Sequence, residues 1–411
     1  MADPSAPAGT FAPGTKIQVG NHKVVIQKYF SEGGFAHVYL VKMPKPIDGT
    51  DIAVLKRVAV PDKENLANMR TEVETMKKLK GHRPIVTYYD SHASQLKGGG
   101  YEVFLLMEFC NGGGLIDFMN TRLQNRLTEP EILKIFSDVA EGVACMHYLK
   151  PPLLHRDLKV ENVLISGTGS SKRFKLCDFG STAPPRPAAT TAAECRLIED
   201  DVQKHTTLQY RSPEMIDVYR KQPIDEKSDI WALGVLLYKL CYYTTPFEAQ
   251  GQLAILNASF KFPSYPIFSD KLKKLIGMWC RIRNWTLLMF AASMLKENPK
   301  SRPNIYQVLR EACLMQGIDI PIKDVCLALV EKSKLIIVDI CWANAIRKQA
   351  ESTITTSRQL FHTPDCWSGI FSASSNTASH TRCDANAKGT TYCEFTGARS
   401  KTKSLAFTRV S

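Results

Sequence analysis

The residue pattern predicts an α+β protein of two lobes, a small strand-rich one followed by a larger, mainly helical one. Three observations carry this prediction. Short β-branched or apolar runs broken by Gly, Pro and Asp fill residues 17–108, with one helical stretch among them. From Gly112 onward, apolar residues recur mainly at helical spacing. The two most distinctive acidic motifs, His155 to Val163 and Asp178-Phe179-Gly180, both fall inside the second region. With 411 residues, 44% apolar content and 23% charge, the chain has material for two lobes and a sizeable core.

Val24 to Ile26, Val38 to Val41 and Ile52 to Lys56 read as strands, and Tyr101 to Glu108 as a further buried one. Between them, Leu66, Met69, Val73, Met76 and Leu79 share one helix face, and Gly81 stands where that helix should stop. Thr128 with Glu131 three residues later forms a capping box ahead of Ile132, Leu133, Ile135, Phe136, Val139 and Val143, an amphipathic helix leading to the acidic motifs. Asp229 opens another apolar helix through Ala232-Leu233-Gly234.

The expected organisation is a disordered segment over 1–16, rich in Ala, Pro and Gly, and one folded unit over 17–325, with lobes at about 17–108 and 112–325. A tail over 326–411 follows. Lys271 to Ile276 would run into Ala292 to Lys296 as one helix, but the fifteen residues from Gly277 to Ala291, with Trp279 and Trp285, interrupt it. Insert and tail together hold four of the five Trp and six of the twelve Cys. They read as a retained intron or shifted-frame translation; the alternative is a genuine helical insert and a divergent, disordered tail.

Composition narrows the function. The start lacks the charged and apolar runs of a secretory signal, and no stretch approaches the roughly 18–20 apolar residues of a membrane span. Twelve dispersed cysteines without a Cys-x-x-Cys pair point to reduced thiols and a cytoplasmic setting. The net charge of +13 is also dispersed, with 11 Lys or Arg against 6 Asp or Glu in 326–411. No aromatic-interleaved basic stripe accompanies it, so no nucleic-acid partner and no membrane insertion is expected.

The chemistry resides in His155-Arg156-Asp157-Leu158-Lys159-Val160-Glu161-Asn162 and in Asp178-Phe179-Gly180. Phosphoryl transfer from ATP requires a carboxylate beside the attacking hydroxyl, with an amide and a second carboxylate to hold Mg²⁺, and this spacing supplies all three. Asp157 is the candidate to orient the hydroxyl, and Asn162 and Asp178 are the candidate metal ligands. Lys159 is placed to touch the transferring phosphate, with Thr207 completing a group that favours a Ser or Thr acceptor. Upstream, Ser31-Glu32-Gly33-Gly34-Phe35-Ala36, with Val38, forms a glycine loop that can approach phosphates; alone it is as readily a hairpin turn. Lys56 ends the strand Ala53-Val54-Leu55-Lys56 as the phosphate-binding lysine, Ala53 is a candidate to line the nucleotide pocket, and Glu72 is the partner of Lys56. Met107 would limit the nucleotide pocket, with Glu108-Phe109-Cys110 linking the lobes. His155 reads as a packing residue rather than a base. Ser181, Thr190 and Thr191 are candidate phosphorylation sites, with Arg156 as a receiver. Glu214 in Ser212-Pro213-Glu214 requires a buried cation, for which Arg302 is the candidate.

These motifs resemble the eukaryotic protein kinase fold. The strings Glu32 to Ala36, Met107 to Cys110, HRDLKVEN at 155–162, Leu176 to Ser181 and Thr206 to Met215 narrow the resemblance to the Numb-associated kinases, a group that includes adaptor-associated, cyclin-G-associated and fungal actin-regulating kinases. The fungal branch is nearest in pattern, and the likeness covers about residues 17–325. Ser31 and Ala36, where most kinases carry glycine, match the habit of this group. The resemblance implies a Mg²⁺- and ATP-dependent Ser/Thr kinase acting on threonine, in a Gln-x-Thr-Gly context, of endocytic adaptors and actin-patch regulators. It also implies peripheral recruitment to cortical actin or endocytic patches. The rival is a kinase-fold scaffold without turnover.

Overall fold

The computed structural model describes residues 9–33, 36–277 and 293–323. Most of the insert and the tail therefore lie outside the described residues. The small lobe is one antiparallel sheet of β1 (Lys16–Val19), β2 (His22–Gly33), β3 (Ala36–Ile47), β4 (Thr50–Val60), β5 (Tyr88–Gln95) and β6 (Tyr101–Glu108), in the order β1-β2-β3-β4-β6-β5. Helix α1 (Lys63–Lys78) connects β4 to β5. Strand alternation sorts the sheet's side chains. Ile26, Tyr39, Val41, Leu55, Phe104 and Leu106 form a core on one face. Val58 and Val103 pack with Leu66 and Met69 of α1 on the other.

Asp62 caps α1 by accepting from the Asn65 N–H, and the helix ends at Lys78, ahead of Gly81, whose φ is +91°. The expected disordered start needs correction for residues 9–16. Phe11 packs on Tyr39 and Phe104, the Arg57 guanidinium lies 4.2 Å above its ring, and Arg57 also donates to the Gly9 carbonyl at 2.6 Å. One aromatic anchor with a cation over its face outweighs the Pro/Gly-rich composition that suggested disorder.

The large lobe contains α2 (Leu115–Asn120), α3 (Glu129–His147), the hairpin β7 (Val163–Ser166) and β8 (Arg173–Leu176), then α4 (Ala192–His205), α5 (Pro213–Ile216), α6 (Glu226–Tyr242), α7 (Gly251–Leu256), α8 (Asp270–Ile276) and α9 (Ile305–Gln316). The capping box of Thr128 and Glu131 forms at the head of α3. A continuous core joins Val73 and Met76 of α1 to α3, α6 and α9, so both lobes share one apolar interior. Helix α4 had no counterpart in the sequence reading. It buries Cys195, Ile198 and Val202 against Leu154, Met215, Val218 and Ile224.

The two flanks of the insert meet. The Met294 and Leu295 N–H groups donate to the Leu275 and Ile276 carbonyls at 3.2 and 2.9 Å. Without the fifteen residues 277–291, these would be ordinary i→i−4 helix bonds, since 294 − 15 = 279 and 295 − 15 = 280. Glycine at 234 in α6 permits this docking, because a Cβ there would lie 2.8 Å from Leu295 and 3.0 Å from Met294.

Candidate active site

The loop from His155 to Asn162 follows α3 and precedes β7, and Asp229 of α6 holds it from below. The Asp229 carboxylate accepts from the backbone N–H groups of His155 and Arg156 at 2.8 and 3.0 Å, and pairs with His147 Nε2 at 2.9 Å. Burial alone would raise the Asp229 pKa, but the His147 contact and these bonds outweigh it and hold the carboxyl below its ordinary range. Arg156 and Asp178 both take positive φ, 67° and 61°, a backbone state rare outside glycine and characteristic of sites where the fold holds strain. The His155 ring is fully buried and packs on Phe179 at 5.5 Å between centroids, in keeping with a packing residue.

Around Asp157 the geometry is closed on three sides. Lys159 Nζ lies 2.7 Å from Asp157 Oδ2, the Thr207 hydroxyl donates to Asp157 Oδ1 at 2.6 Å, and Lys159 donates to Thr207 at 3.0 Å. The Asn162 amide donates to the Asp157 carbonyl and to Oδ2 at 2.9 and 3.1 Å, which leaves its Oδ1 facing away from these partners. Burial pushes the Asp157 pKa up, but the Lys159 and Thr207 bonds prevail, so the carboxyl sits below its ordinary value and is ionised at neutral pH.

On the opposite wall, Lys56 Nζ meets Glu72 Oε1 at 2.9 Å and Oε2 at 3.2 Å. Burial would lower the Lys56 pKa; the charges of Glu72 and Asp178 raise it above its usual value and keep the ammonium charged. Thr75 of α1 and Thr182, two residues past Gly180, share a buried hydrogen bond of 2.9 Å that ties α1 to the Asp178 turn.

The nucleotide wall needs two corrections. Ala53 was expected in the pocket, but strand alternation puts it with Leu55 in the opposite-face core, while Val54 shares the face of Lys56. Glu108 lies in the connection as expected, but its carboxylate is turned away from the cleft: it accepts from Lys175 at 2.7 Å and from the Thr87 hydroxyl at 2.8 Å. Only its main chain remains for a ligand. Met107 and Val38 lie on the cleft face, Cys110 is buried, and Phe109 has Phe30 beside it at 5.8 Å, a neighbour the sequence reading missed. Strands β2 and β3 pair antiparallel through Ser31↔Val38, Glu32↔His37 and Gly33↔Ala36. Gly34 and Phe35 lie outside the described residues, and the side chains of Ser31, Glu32 and Gly33 are likewise not described.

Asn162 Oδ1 and the Asp178 carboxylate are hard oxygen donors of the kind Mg²⁺ takes, and phosphate oxygens normally complete such a shell. Among the described residues, no group of three or more His, Cys, Asp or Glu is placed to hold a metal ion. Beyond the cleft, Glu214 and Arg302 form a fork-to-fork pair at 2.7 and 2.8 Å with no exposed side-chain surface.

Residues 25–314 match the family model described as the protein kinase domain. The chain belongs to the protein kinase family. It is similar to the serine/threonine-protein kinase ppk30 of Schizosaccharomyces pombe, at 57% identity over 76% of this chain and 30% of that one. It is also similar to two proteins of Saccharomyces cerevisiae. Actin-regulating kinase 1 is 52% identical over 80% of this chain and 49% of its own length, and actin-regulating kinase PRK1 is 51% identical over 76% and 37%. The resemblance to the Numb-associated group therefore holds. This chain spans from under a third to about half the length of these relatives.

Proposed function

We propose that this protein kinase domain is a serine/threonine kinase that transfers the γ-phosphoryl group of Mg-ATP to threonine, and to serine, in protein substrates. The observation that carries the reading is the group of Asp157, Lys159 and Thr207, mutually within 2.6–3.0 Å, facing a charged Lys56–Glu72 pair. Asp157 is ionised and accepts the hydrogen bond of the substrate hydroxyl, fixing its line of approach, and takes the proton as the bond to phosphorus forms. Lys159 offers a cation to the transferring phosphoryl group, Lys56 holds the nucleotide phosphates, and Glu72 holds Lys56. Asn162 and Asp178 would hold Mg²⁺, which supplies charge neutralisation on the phosphates. Thr207 narrows the acceptor site beside Asp157, which supports Thr or Ser over the longer Tyr.

Because two of the named relatives are actin-regulating kinases, we assign the substrates to actin-patch regulators and endocytic adaptors, with recruitment to cortical sites and a Gln-x-Thr-Gly acceptor context. No helix among the described residues is long and apolar enough to cross a membrane.

The test is turnover of a Gln-x-Thr-Gly peptide with Mg-ATP by the wild type, Asp157→Asn and Lys56→Ala, alongside Thr→Tyr and Gly→Ala peptides. Both variants should fold and lose about 10²- to 10⁴-fold in rate, and the wild type should prefer the parent peptide. Wild-type rates in folded Asp157→Asn would overturn the catalytic assignment, and equal rates on all three peptides would overturn the specificity.

A further inference from the structure

Helix α4 lies within the segment between Gly180 and Tyr210, where protein kinases are commonly ordered by a phosphorylated residue that pairs with arginine. Asp201, in its penultimate turn, occupies the receiving arginine. Arg156 Nη1 meets Asp201 Oδ2 at 2.6 Å, Arg186 Nη2 lies 3.3 Å from the same oxygen, and His205 Nδ1 lies 2.9 Å from Oδ1. Arg156 also donates from Nε to the Ser181 carbonyl at 2.5 Å, so one guanidinium ties α4 to the Asp178 turn. Burial would raise the Asp201 pKa, but Arg156, Arg186 and His205 outweigh it and hold the carboxyl below its ordinary range.

Of the candidate phosphorylation sites, Thr190 and Thr191 are engaged elsewhere, while Ser181, whose carbonyl Arg156 already holds, is tested by substitution below. Thr191 caps α4 by accepting from the Glu194 N–H, and the Thr190 hydroxyl and N–H both donate to Glu194. Ten residues of helix put Asp201 about 15 Å from that end. A phosphate on Thr190 or Thr191 could reach Arg156 only by unravelling α4 from Cys195, Ile198 and Val202, which are buried. The space around Arg156, Arg186 and Asp201, walled by Leu154, Ile198 and Met215, is narrow and has room for about one water molecule beside the groups already packed there. One turn on, Lys204 pairs with Glu64 of α1 at 2.5 Å, so the same helix end reaches both the catalytic loop and the helix that carries Glu72.

We propose that Asp201 is a built-in replacement for the activating phosphate: a positioning residue that holds Arg156 and, through α4, keeps the segment from Gly180 to Tyr210 in working shape without modification. This rests on the kinase reading above. The domain is then active as translated, and its control lies outside this segment. The Asp201–Arg156 pair is shielded and carries the effect; the Lys204–Glu64 pair is exposed and contributes little alone.

The test uses the full chain, phosphatase-treated and shown by intact mass to carry no phosphate, in wild-type, Asp201→Asn, Asp201→Glu and Ser181→Ala forms. Peptide turnover and hydrogen exchange of residues 181–207 are read in parallel. The unphosphorylated wild type and Ser181→Ala should turn over equally. Asp201→Asn should lose up to about 100-fold in kcat, with ATP affinity retained and faster exchange across 181–191. Asp201→Glu should recover most of both. Activity that appears in the wild type only after phosphorylation, or Asp201→Asn with wild-type kcat and exchange, overturns the proposal. If no form turns over peptide, the kinase reading fails by itself, and exchange still decides: unchanged protection in Asp201→Asn removes Asp201 from its positioning role.

Discussion

At the scale of single residues, the site is built from charges whose partners lie far away in sequence. Asp229 is separated from the loop it supports by more than seventy positions, yet two of its contacts fix that loop's backbone and a third, with His147, ties it to α3. Its folded pKa lies below the ordinary carboxylate value of about 3.9, because His147 and the backbone donors outweigh burial. A depressed carboxylate contributes stability that is fully present above its unfolded value and is lost as pH falls through the folded one. Asp229→Asn should therefore melt well below the wild type at pH 7, and the gap should narrow below about pH 4. Melting midpoints across pH 3–8 check this; a gap of constant width would mean that the contribution is steric rather than electrostatic. The Glu214–Arg302 pair was legible from sequence because a buried carboxylate requires a cation of matching geometry. Asp201 was not, since nothing in its neighbours distinguishes it from the exposed Asp200 beside it.

At the scale of elements, periodicity located α1 and α3 because each alternates a buried stripe with a polar one, and caps marked their starts. Strand β5 was missed for the opposite reason. Its sequence, Tyr88-Tyr89-Asp90-Ser91-His92-Ala93-Ser94-Gln95, is mostly polar; it is a strand because β6 pairs with it at the sheet edge. Helix α4 was hidden by the Pro- and Thr-rich stretch before it and by a short apolar stripe. The insert lies where the α8 bond ladder resumes at Met294 and Leu295, and we propose that residues 277–291 are foreign to the fold. Deleting them should restore one continuous helix and leave the melting midpoint unchanged or slightly raised, because Leu275, Ile276, Met294 and Leu295 are already buried with the insert in place and loop closure alone changes stability by only about 0.6 kcal/mol per doubling of length. Thermal melts of the full and deleted chains decide; a lower midpoint on deletion would make the insert a packed part of the domain.

At the scale of the whole molecule, every site residue discussed lies between residues 31 and 302, and one apolar interior runs from α1 to α9 beneath the catalytic loop. A chain shortened to residues 1–323 should keep both its melting midpoint and its peptide turnover. It should also lose the +5 surplus carried by 326–411, visible as weaker retention on a cation exchanger. A loss of turnover on truncation would assign the tail a part in catalysis.

The sequence by itself determined the two-lobed α+β architecture and named the candidate catalytic set, because spacing within a loop and periodicity along a helix are local properties that the chain writes directly. It also determined the partners whose chemistry leaves few choices, as Glu214 and Arg302 show. Only the tertiary structure decided which face each residue presents and which distant group answers it. Strand alternation turned Ala53 into the core and Val54 toward Lys56. The sheet edge made a strand of β5. The packing of α4 brought Asp201 to Arg156 across 45 positions of chain. Such pairings depend on how elements stack, and stacking is fixed by the summed burial of many side chains rather than by the pattern around any one of them.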